Sequence, residues 1–291
     1  MSDHGAVVVG LDNGRHGQSE LDWAAREAAA RNRPLHVVRG YELVQAALPW
    51  QNSTDRMLLA DLRQAARRRL DRAVAYVHEQ WPDLEVIPVA SEGQPSETLI
   101  EASQGAGVTV LGSRRLGAVG AAVLGSVSSV VAARGFGPIV ITGRQSALSD
   151  EPASVVVGVD GSKHTDDLLG FAFDYASRHG RGVDAVFCWP PDALAQAQWR
   201  GEPAAPERAD RWLAEATAGF QERYPDVRLH RGVVRGHPVD ALVAAAAGQD
   251  LLVVGSRSQH PHVAALLGSV SQGVLHHATC PVAVVHPVFT G

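Results

Sequence analysis

The chain contains the stretch Gly112-Ser113-Arg114-Arg115-Leu116-Gly117, followed eight residues on by Gly125-Ser126-Val127-Ser128. A related stretch, Gly255-Ser256-Arg257 with Gly268-Ser269-Val270-Ser271, recurs at the same internal spacing. Each stretch stands close behind a short run of apolar residues, as a turn between a strand and a helix does. Glycine in such a turn lets an anion approach bare backbone N–H groups. We therefore expect the functional sites at these two turns.

The similarity between the two turns is part of a duplication that covers most of the chain. Val7-Val8-Val9-Gly10-Leu11-Asp12 matches Val155-Val156-Val157-Gly158-Val159-Asp160 at an offset of 148 residues, whereas Trp81-Pro82-Asp83 matches Tyr224-Pro225-Asp226 at an offset of 143. A net deletion of five residues in the second copy explains the change of offset. The order of the matches predicts two domains, over residues 1–146 and 152–291.

Composition indicates a globular chain with two buried cores, since 45% of its 291 residues are hydrophobic. No apolar run is long enough to span a bilayer, and the first apolar run begins too early to follow a signal peptide, so we expect a cytoplasmic protein without a membrane partner. With Lys+Arg 26 against Asp+Glu 31 the chain is mildly acidic, which disfavours nucleic acid as a partner. Cys188 and Cys280 are expected to be small buried residues outside any disulfide framework.

Apolar runs and helical stripes alternate along each copy. In the first copy, Val7 to Leu11 is a β-branched run, Ser19 to Arg31 has helical spacing, and a long helix carries an apolar stripe at Leu62, Ala66, Leu70, Ala73 and Val77. The non-periodic segment from Gly40 to about Arg56 is expected to be a loop. The alternation predicts an α/β fold with five strands per copy, in open parallel sheets covered by helices on both faces.

Ligands of open parallel sheets bind beyond the carboxyl ends of the strands, where the direction of the connections switches. Asp12 ends the first strand and Gly112 ends the fourth, which places both at that crevice. Asp12 and its counterpart Asp160 could instead cap a helix or form a turn. The last strands, Ile139 to Thr142 and Val282 to Val285, are apolar edges that need cover, so we expect them to pair, in a pseudo-dimer of the two copies or in a homo-oligomer.

The pattern Gly, two residues, Gly, nine residues, Gly-Ser, together with a Val-Gly-x-Asp first strand, resembles the universal stress protein family over both halves of the chain. The resemblance implies two tandem Rossmann-like domains of the adenine nucleotide alpha hydrolase-like type. It also implies an adenine nucleotide in the crevice, namely ATP, with or without Mg2+. Carried over by position, the carboxylates of Asp12 and Asp160 lie near the nucleoside and the main chain at Gly40 and Cys188 lies near the adenine.

The same resemblance implies that Gly112 and Gly255 lie beneath the ribose and phosphates. The Gly-Ser pairs at Gly125 and Gly268 would then supply N–H groups and a hydroxyl at a helix N-terminus. The full set of predicted nucleotide-binding residues is Gly10, Asp12, Gly40, Gly112, Ser113, Arg114, Arg115, Gly117, Gly125, Ser126, Val127, Ser128, Gly158, Asp160, Cys188, Gly255, Ser256, Arg257, Gly268, Ser269, Val270 and Ser271.

One departure from the family pattern concerns the residue three positions after the first glycine, where glycine is replaced by Arg115 and by Ser258. A side chain there could crowd the phosphates, or Arg115 could pair with a triphosphate as a charged partner. The second loop is also stiffened by Pro261, so the first site is expected to be the better occupied.

Three functions are consistent with these features. The first is an ATP-binding regulator of stress response or growth without strong catalysis, and the second is a tandem scaffold that has lost nucleotide binding and acts through protein contacts. An ATP-using enzyme is disfavoured, because the chain has neither a P-loop nor a nucleophile elbow. No catalytic residue and no metal site are predicted, since His260, His262, His276 and His277 lack a thiolate or carboxylate to complete a ligand set.

Overall fold

The computed structural model describes residues 5–12, 18–42, 54–113, 124–143, 153–189, 206–256 and 267–287. The first copy contains β1 (Val7–Gly10), α1 (Gln18–Arg31), β2 (Leu35–Tyr41), α2 (Thr54–Gln80), β3 (Val86–Glu92), α3 (Pro95–Ser103), β4 (Val108–Gly112), α4 (Ser126–Arg134) and β5 (Pro138–Thr142). The second contains β6 (Ser154–Val159), α5 (Thr165–His179), β7 (Gly182–Trp189), α6 (Pro206–Arg223), β8 (Leu229–Arg235), α7 (Pro238–Ala245), β9 (Leu251–Gly255), α8 (Ser269–His277) and β10 (Val282–Val285). The predicted alternation of strands and helices is confirmed.

Contacts within the chain divide it into two compact units, of which the first comprises Met1–Gly112 and Ser126–Gly137. Its four strands are parallel and stand in the order β3-β2-β1-β4. The chain therefore runs outward from β1 to β3 on one side and then crosses to β4 on the other side of β1. This reversal creates the switch point beyond the carboxyl ends of β1 and β4.

The second unit comprises Ser113–Gly125 and Pro138–Gly291. Five parallel strands stand in the order β10-β9-β6-β7-β8, with the switch point between β6 and β9. β5 pairs antiparallel with β10, with Ile139 opposite Val284. The expected pairing of the two last strands is thus observed, and by its contacts β5 belongs to the second unit. The predicted domain boundary, between residues 146 and 152, lies outside the described residues.

Apolar side chains account for these elements. Val7 and Val9 of the central strand β1 are fully buried, as expected for a parallel strand covered on both faces. On α1 the buried face includes Leu21, Trp23 and Ala24, and on α2 the predicted stripe is buried at Ala66, Leu70, Ala73 and Val77. Within the described residues, none of the helices combines the length and hydropathy that a membrane span requires.

The predicted loop from Gly40 to about Arg56 was too long at both ends. Gly40 and Tyr41 still belong to β2, paired in register with Ser91 and Glu92 of β3, and α2 already begins at Thr54. Lack of apolar periodicity concealed these ends, because backbone pairing with a neighbouring strand needs no particular side-chain pattern at a strand terminus. Residues 43–53 lie outside the described residues.

Candidate functional site

The turn after β9 is connected to the start of α8 by hydrogen bonds. The backbone N–H of Gly268 donates to the carbonyl of Ser256 at 3.0 Å, and the hydroxyl of Ser271 donates to the carbonyl of Gly255. Ser256 itself continues the sheet, since its N–H donates to the carbonyl of Val285 at 2.9 Å. The N-terminus of α8 is therefore held directly against the carboxyl end of β9.

Among the described residues, no side chain caps the N-terminus of α8. Its N-cap residue is Gly268, with φ −61° and ψ 152°. Ser269 is exposed beside it, whereas Ser256 is only 3% exposed and its hydroxyl finds no hydrogen-bond partner among the described residues. The first N–H groups of a helix carry partial positive charge and have no partner within the helix. An anion at this point would satisfy them.

The first copy repeats this construction. The hydroxyl of Ser128 on α4 donates to the carbonyl of Gly112 at 2.9 Å, as Ser271 does to Gly255. Ser126, like Ser269, is exposed at the start of its helix, while Val127 and Val270 are half-buried. Gly125 is buried, and the N–H of Ser113 donates to the carbonyl of Thr142 at 2.8 Å. The two copies thus share the same connection between strand and helix.

The two aspartates that follow the first strands have different surroundings. The Asp160 carboxylate accepts the N–H of Ser162 at 3.0 Å, across Gly161, whose φ is +73°. This is the turn-forming role that the sequence left open for Asp160. Asp12 is exposed, and its backbone carbonyl accepts hydrogen bonds from Arg39 at 2.8 Å and Arg69 at 2.7 Å.

Three of the predicted glycines lie where a neighbouring element packs closely. A Cβ on Gly10 would be 2.6 Å from Leu111 and 2.9 Å from Leu99, and a Cβ on Gly158 would be 2.9 Å from Leu242. At Gly40 a Cβ would be 2.7 Å from the Cα of Pro95. Close packing accounts for glycine at these positions without a ligand.

Cys188 occupies the position of Gly40 in the second copy. Burial raises the pKa of its thiol to about 11. The thiol is therefore protonated at neutral pH, which makes it a poor nucleophile. In register, Phe187 is the partner of Val159, so Cys188 lies beside the start of the turn that Asp160 forms.

Gly112 has a close neighbour that its sequence motif does not indicate. Glu20, in the first turn of α1, is 4% exposed, and a Cβ on Gly112 would lie 2.8 Å from its Oε1 atom. Burial raises the pKa of Glu20 from 4.5 to about 7, with the charges of Asp12 and Asp22 adding to the shift. Comparison of the two copies indicates the burial of this residue, because at the offset of 148 residues Glu20 aligns with the apolar residue Leu168, which is buried.

Alignment of the two copies shows a second difference, between residues of β2 and α2 in the first copy and residues of β7 and α6 in the second. Arg39 and Arg69 both donate to the carbonyl of Asp12, and their counterparts are Phe187 and Trp212. The two aromatic rings meet edge to face, with centroids 5.8 Å apart. Burial lowers the pKa of Arg39, and the neighbouring charge of Arg69 lowers it further. Where the first copy places two arginines on the carbonyl of Asp12, the second copy therefore has an aromatic contact that includes the fully buried Phe187.

Four of the predicted site residues lie outside the described residues: Arg114, Arg115, Gly117 and Arg257. Ser258 and Pro261, on which the comparison of the two loops rested, lie outside them as well. Within the described part of the chain, no group of three or more His, Cys, Asp or Glu side chains is arranged to hold a metal ion.

Comparison with known proteins agrees with this architecture. The sequence profile of the universal stress protein family matches residues 5–142 and 153–286. A universal stress protein of Mycobacterium tuberculosis H37Rv is 36% identical over 298 residues, covering 97% of this chain and 96% of its own, and one of Mycolicibacterium smegmatis is 34% identical over 294 residues, covering 97% of each. The crystal structure of a universal stress protein from Archaeoglobus fulgidus has the same fold, with a TM-score of 0.74 at 19% identity, covering 98% of this chain and 99% of that one.

Proposed function

Because this chain belongs to the universal stress protein family, we propose that it binds an adenine nucleotide, ATP with or without Mg2+, in the crevices at the carboxyl ends of its two sheets. It acts in the cytoplasm as a nucleotide-dependent regulator of stress response or growth, without strong catalysis.

The observation that carries this proposal is the start of α8. An uncapped helix N-terminus, the exposed hydroxyl of Ser269 and the buried hydroxyl of Ser256 stand together at the switch point of the second sheet. These donors suit a phosphate, whose oxygens accept hydrogen bonds and whose charge is favoured by the helix dipole. A buried hydroxyl with no partner is unfavourable by itself, so a ligand oxygen at this point would also stabilise the fold.

The side chains of this crevice favour binding over reaction. The Asp160 carboxylate is occupied in a turn, and the Cys188 thiol is held in its protonated form by burial. A general base or nucleophile needs an accessible deprotonated group near the reacting atom. Hence the proposed role is recognition of the nucleotide, with the bound and free states differing in conformation or in affinity for a partner.

A second candidate, a tandem scaffold that acts only through protein contacts, is favoured in the first copy by Glu20. This buried carboxyl lies against Gly112, where the resemblance implies ribose and phosphates. A carboxylate at this distance would oppose a phosphate. The nucleotide-binding candidate predicts that at least one of the two crevices is occupied, whereas the scaffold candidate predicts that neither is.

The proposal is tested by counting the nucleotides bound per chain with native mass spectrometry and measuring their affinity by calorimetry. We expect Gly268→Trp to remove binding in the second crevice and Gly125→Trp to remove it in the first, since each places an indole at a helix N-terminus. Gly219→Trp is the matched control, because Gly219 is exposed on α6 with open space around it. A wild-type chain that binds no ATP would support the scaffold instead, and an unchanged number of bound nucleotides in both crevice variants would show that ATP does not bind at these helix N-termini.

A further inference from the structure

The first crevice contains a buried acid at the point where a nucleotide phosphate or ribose would approach. Glu20 lies in the first turn of α1, and the distance from its Oε1 to a Cβ built on Gly112 is 2.8 Å. An atom of a ligand that contacts the Cα of Gly112 on this side would meet the Glu20 carboxyl directly. The carbonyl of the same glycine accepts from Ser128, so it already faces the start of α4.

The charged groups around Glu20 come from each element packed on α1. Asp22 lies on the same helix, where its carboxylate accepts the hydroxyl of Tyr76 from α2 at 2.8 Å. Asp12 follows β1, and the cations near it, Arg39 on β2 and Arg69 on α2, donate to the carbonyl of Asp12. β4 contributes Gly112, which has no charge.

Among the described residues, the two charged groups that shift the pKa of Glu20, Asp12 and Asp22, are both acidic. Burial is the main reason that its pKa rises to about 7, Asp12 and Asp22 raise it further, and hydrogen bonds from its own backbone N–H and from Ser19 oppose the shift. The bond from the Ser19 hydroxyl measures 3.2 Å. A pKa of about 7 means that both the protonated and the ionised carboxyl are present near neutral pH, and a nearby phosphate would shift the balance toward the protonated form.

The second crevice has no such group at the equivalent position. Leu168 aligns with Glu20 in the first turn of α5 and is buried to the same extent. Nothing that titrates near neutral pH replaces the carboxyl at that position. The aligned positions of Glu20 and Leu168 therefore allow a direct comparison between a crevice with a buried carboxyl and a crevice with a buried leucine in its place.

We propose that Glu20 determines which charge state of the first crevice accepts a nucleotide, so that binding there takes up a proton while binding in the second crevice, beside Leu168, does not. This inference rests on the proposed function, because it concerns the same nucleotide. It assigns to the duplicated protein one crevice that responds to pH and one that does not.

The linkage has a definite sign. Ionised Glu20 and a phosphate repel one another, so the nucleotide binds the protonated form better. Above the pKa of the carboxyl in the free protein, the affinity of the first crevice falls by up to about tenfold per pH unit. Below it, Glu20 is neutral, can donate a hydrogen bond to a phosphate or ribose oxygen, and leaves the affinity unchanged by pH.

The test is a calorimetric titration of ATP between pH 6 and pH 8.5, in the full-length Gly268→Trp variant, in which only the first crevice is open. We expect the affinity to fall by at least about tenfold over this range and the fall to disappear in Glu20→Leu, which copies the second crevice. The ionisation of ATP itself is common to both variants and cancels in the comparison. Glu20→Gln, which keeps the shape of the side chain, repeats the test in case leucine disturbs folding.

The reciprocal variant makes the test symmetrical. In the Gly125→Trp variant, where only the second crevice is open, adding Leu168→Glu should introduce a fall in affinity with rising pH. Equal pH profiles with and without Glu20 would overturn the inference while leaving the proposed function intact. A fall that occurs in EDTA but vanishes with Mg2+ would also overturn it, because Glu20 would then be a metal ligand rather than a proton acceptor. If neither crevice binds ATP at any pH, the proposed function itself fails.

Discussion

The two copies in this chain agree where a helix must be fixed to a strand and differ where a ligand would be contacted. Ser128 and Ser271 make the same hydrogen bond to the carbonyl of the last residue of β4 or β9. By contrast, three aligned positions carry ionisable side chains in the first copy and apolar side chains in the second: Glu20 and Leu168, Arg39 and Phe187, Arg69 and Trp212. Duplication has preserved the scaffold and let the chemistry of the two crevices diverge.

The difference bears on the expected ranking of the two sites. The sequence favoured the first site because Pro261 stiffens the second loop, and Pro261 lies outside the described residues; above neutral pH we now expect the second site to bind a nucleotide better. Ionised Glu20 counts against that site, and the described donors at α8 favour the second. Variants at the positions where the copies differ, and at those where they agree, test this difference in four ways.

The largest effect on stability is expected for Glu20→Leu. Because the pKa of Glu20 rises from 4.5 to about 7 on folding, the folded protein binds more protons than the unfolded chain between these values. The stability that wild-type Glu20 provides is fully present below pH 4.5 and is lost as the pH rises through 7. The loss amounts to about 3 kcal/mol.

Urea unfolding of wild type and Glu20→Leu at pH 4.5 and pH 8 measures this loss directly. We expect the variant to gain stability relative to wild type as the pH rises. Leu168→Glu is the matched control and should show the opposite trend, since it buries a carboxyl where the second copy has none. A stability difference between wild type and Glu20→Leu that does not vary with pH would show that the carboxyl does not titrate in this range.

The second prediction exchanges two aligned residues near the ends of β2 and β7, Gly40 and Cys188. Gly40→Cys places a Cβ 2.7 Å from the Cα of Pro95, and a backbone atom cannot move aside as a side-chain end can. We expect a loss of about 2 to 3 kcal/mol in the free energy of unfolding. Gly232→Cys in β8 is the control, because a Cβ there meets nothing within 4 Å.

The reverse exchange, Cys188→Gly, should be milder, at about 1 kcal/mol, since it only removes a half-buried thiol and frees the backbone of the unfolded chain. If Gly40→Cys is as mild as Cys188→Gly, the approach of Pro95 to β2 is not a constraint that separates the two copies.

The fold could be predicted from sequence because its signals are local and repeated. The β-branched run at Val7 and the stripe at Leu70 each specify one element, and the second copy repeats them. The pairing of β5 with β10 also followed from a simple argument, namely that an apolar edge strand needs cover. Element ends were less certain, as β2 and α2 show, because they depend on backbone pairing rather than on side-chain pattern.

The surroundings of the site were less accessible to sequence reasoning. Glu20 has the position of an ordinary first-turn acid, which is usually solvated and stabilises the helix dipole. Its burial against Gly112 depends on how α1 packs on β4, a tertiary relation that no local motif records. Similarly, the turn that Asp160 forms depends on the path of the backbone after β6, which brings the N–H of Ser162 to one of its carboxylate oxygens and which the sequence pattern does not record.

The third prediction concerns the feature that the two copies share. Ser128→Ala and Ser271→Ala each leave the carbonyl of Gly112 or Gly255 without its hydroxyl donor. We expect each to lower the free energy of unfolding by about 1 to 2 kcal/mol. The exposed neighbours Ser126 and Ser269 provide matched alanine controls that should leave stability nearly unchanged. A clear loss in one copy and none in the other would mean that the shared hydrogen bond does not serve the same purpose in both.

The smallest effect separates the charged pair from the aromatic pair. In a double-mutant cycle with Phe187→Ala and Trp212→Ala, we expect a favourable coupling of about 0.5 to 1.5 kcal/mol, as for other edge-to-face pairs. The cycle with Arg39→Ala and Arg69→Ala should give a coupling of opposite sign and below about 1 kcal/mol, because two like charges share the carbonyl of Asp12 as acceptor.

Salt distinguishes the two couplings further. Screening should reduce the repulsion between the arginines as ionic strength rises, whereas the contact between the rings, with centroids 5.8 Å apart, should not weaken. Both cycles are read from urea unfolding at low and high salt. A favourable, salt-insensitive coupling between the arginines would show that their shared acceptor contributes more than the repulsion between their charges. The arginine pair and the aromatic pair would then stabilise their copies in the same way. Among the described residues at these three aligned positions, the carboxyl of Glu20 would then remain as the difference between the two copies.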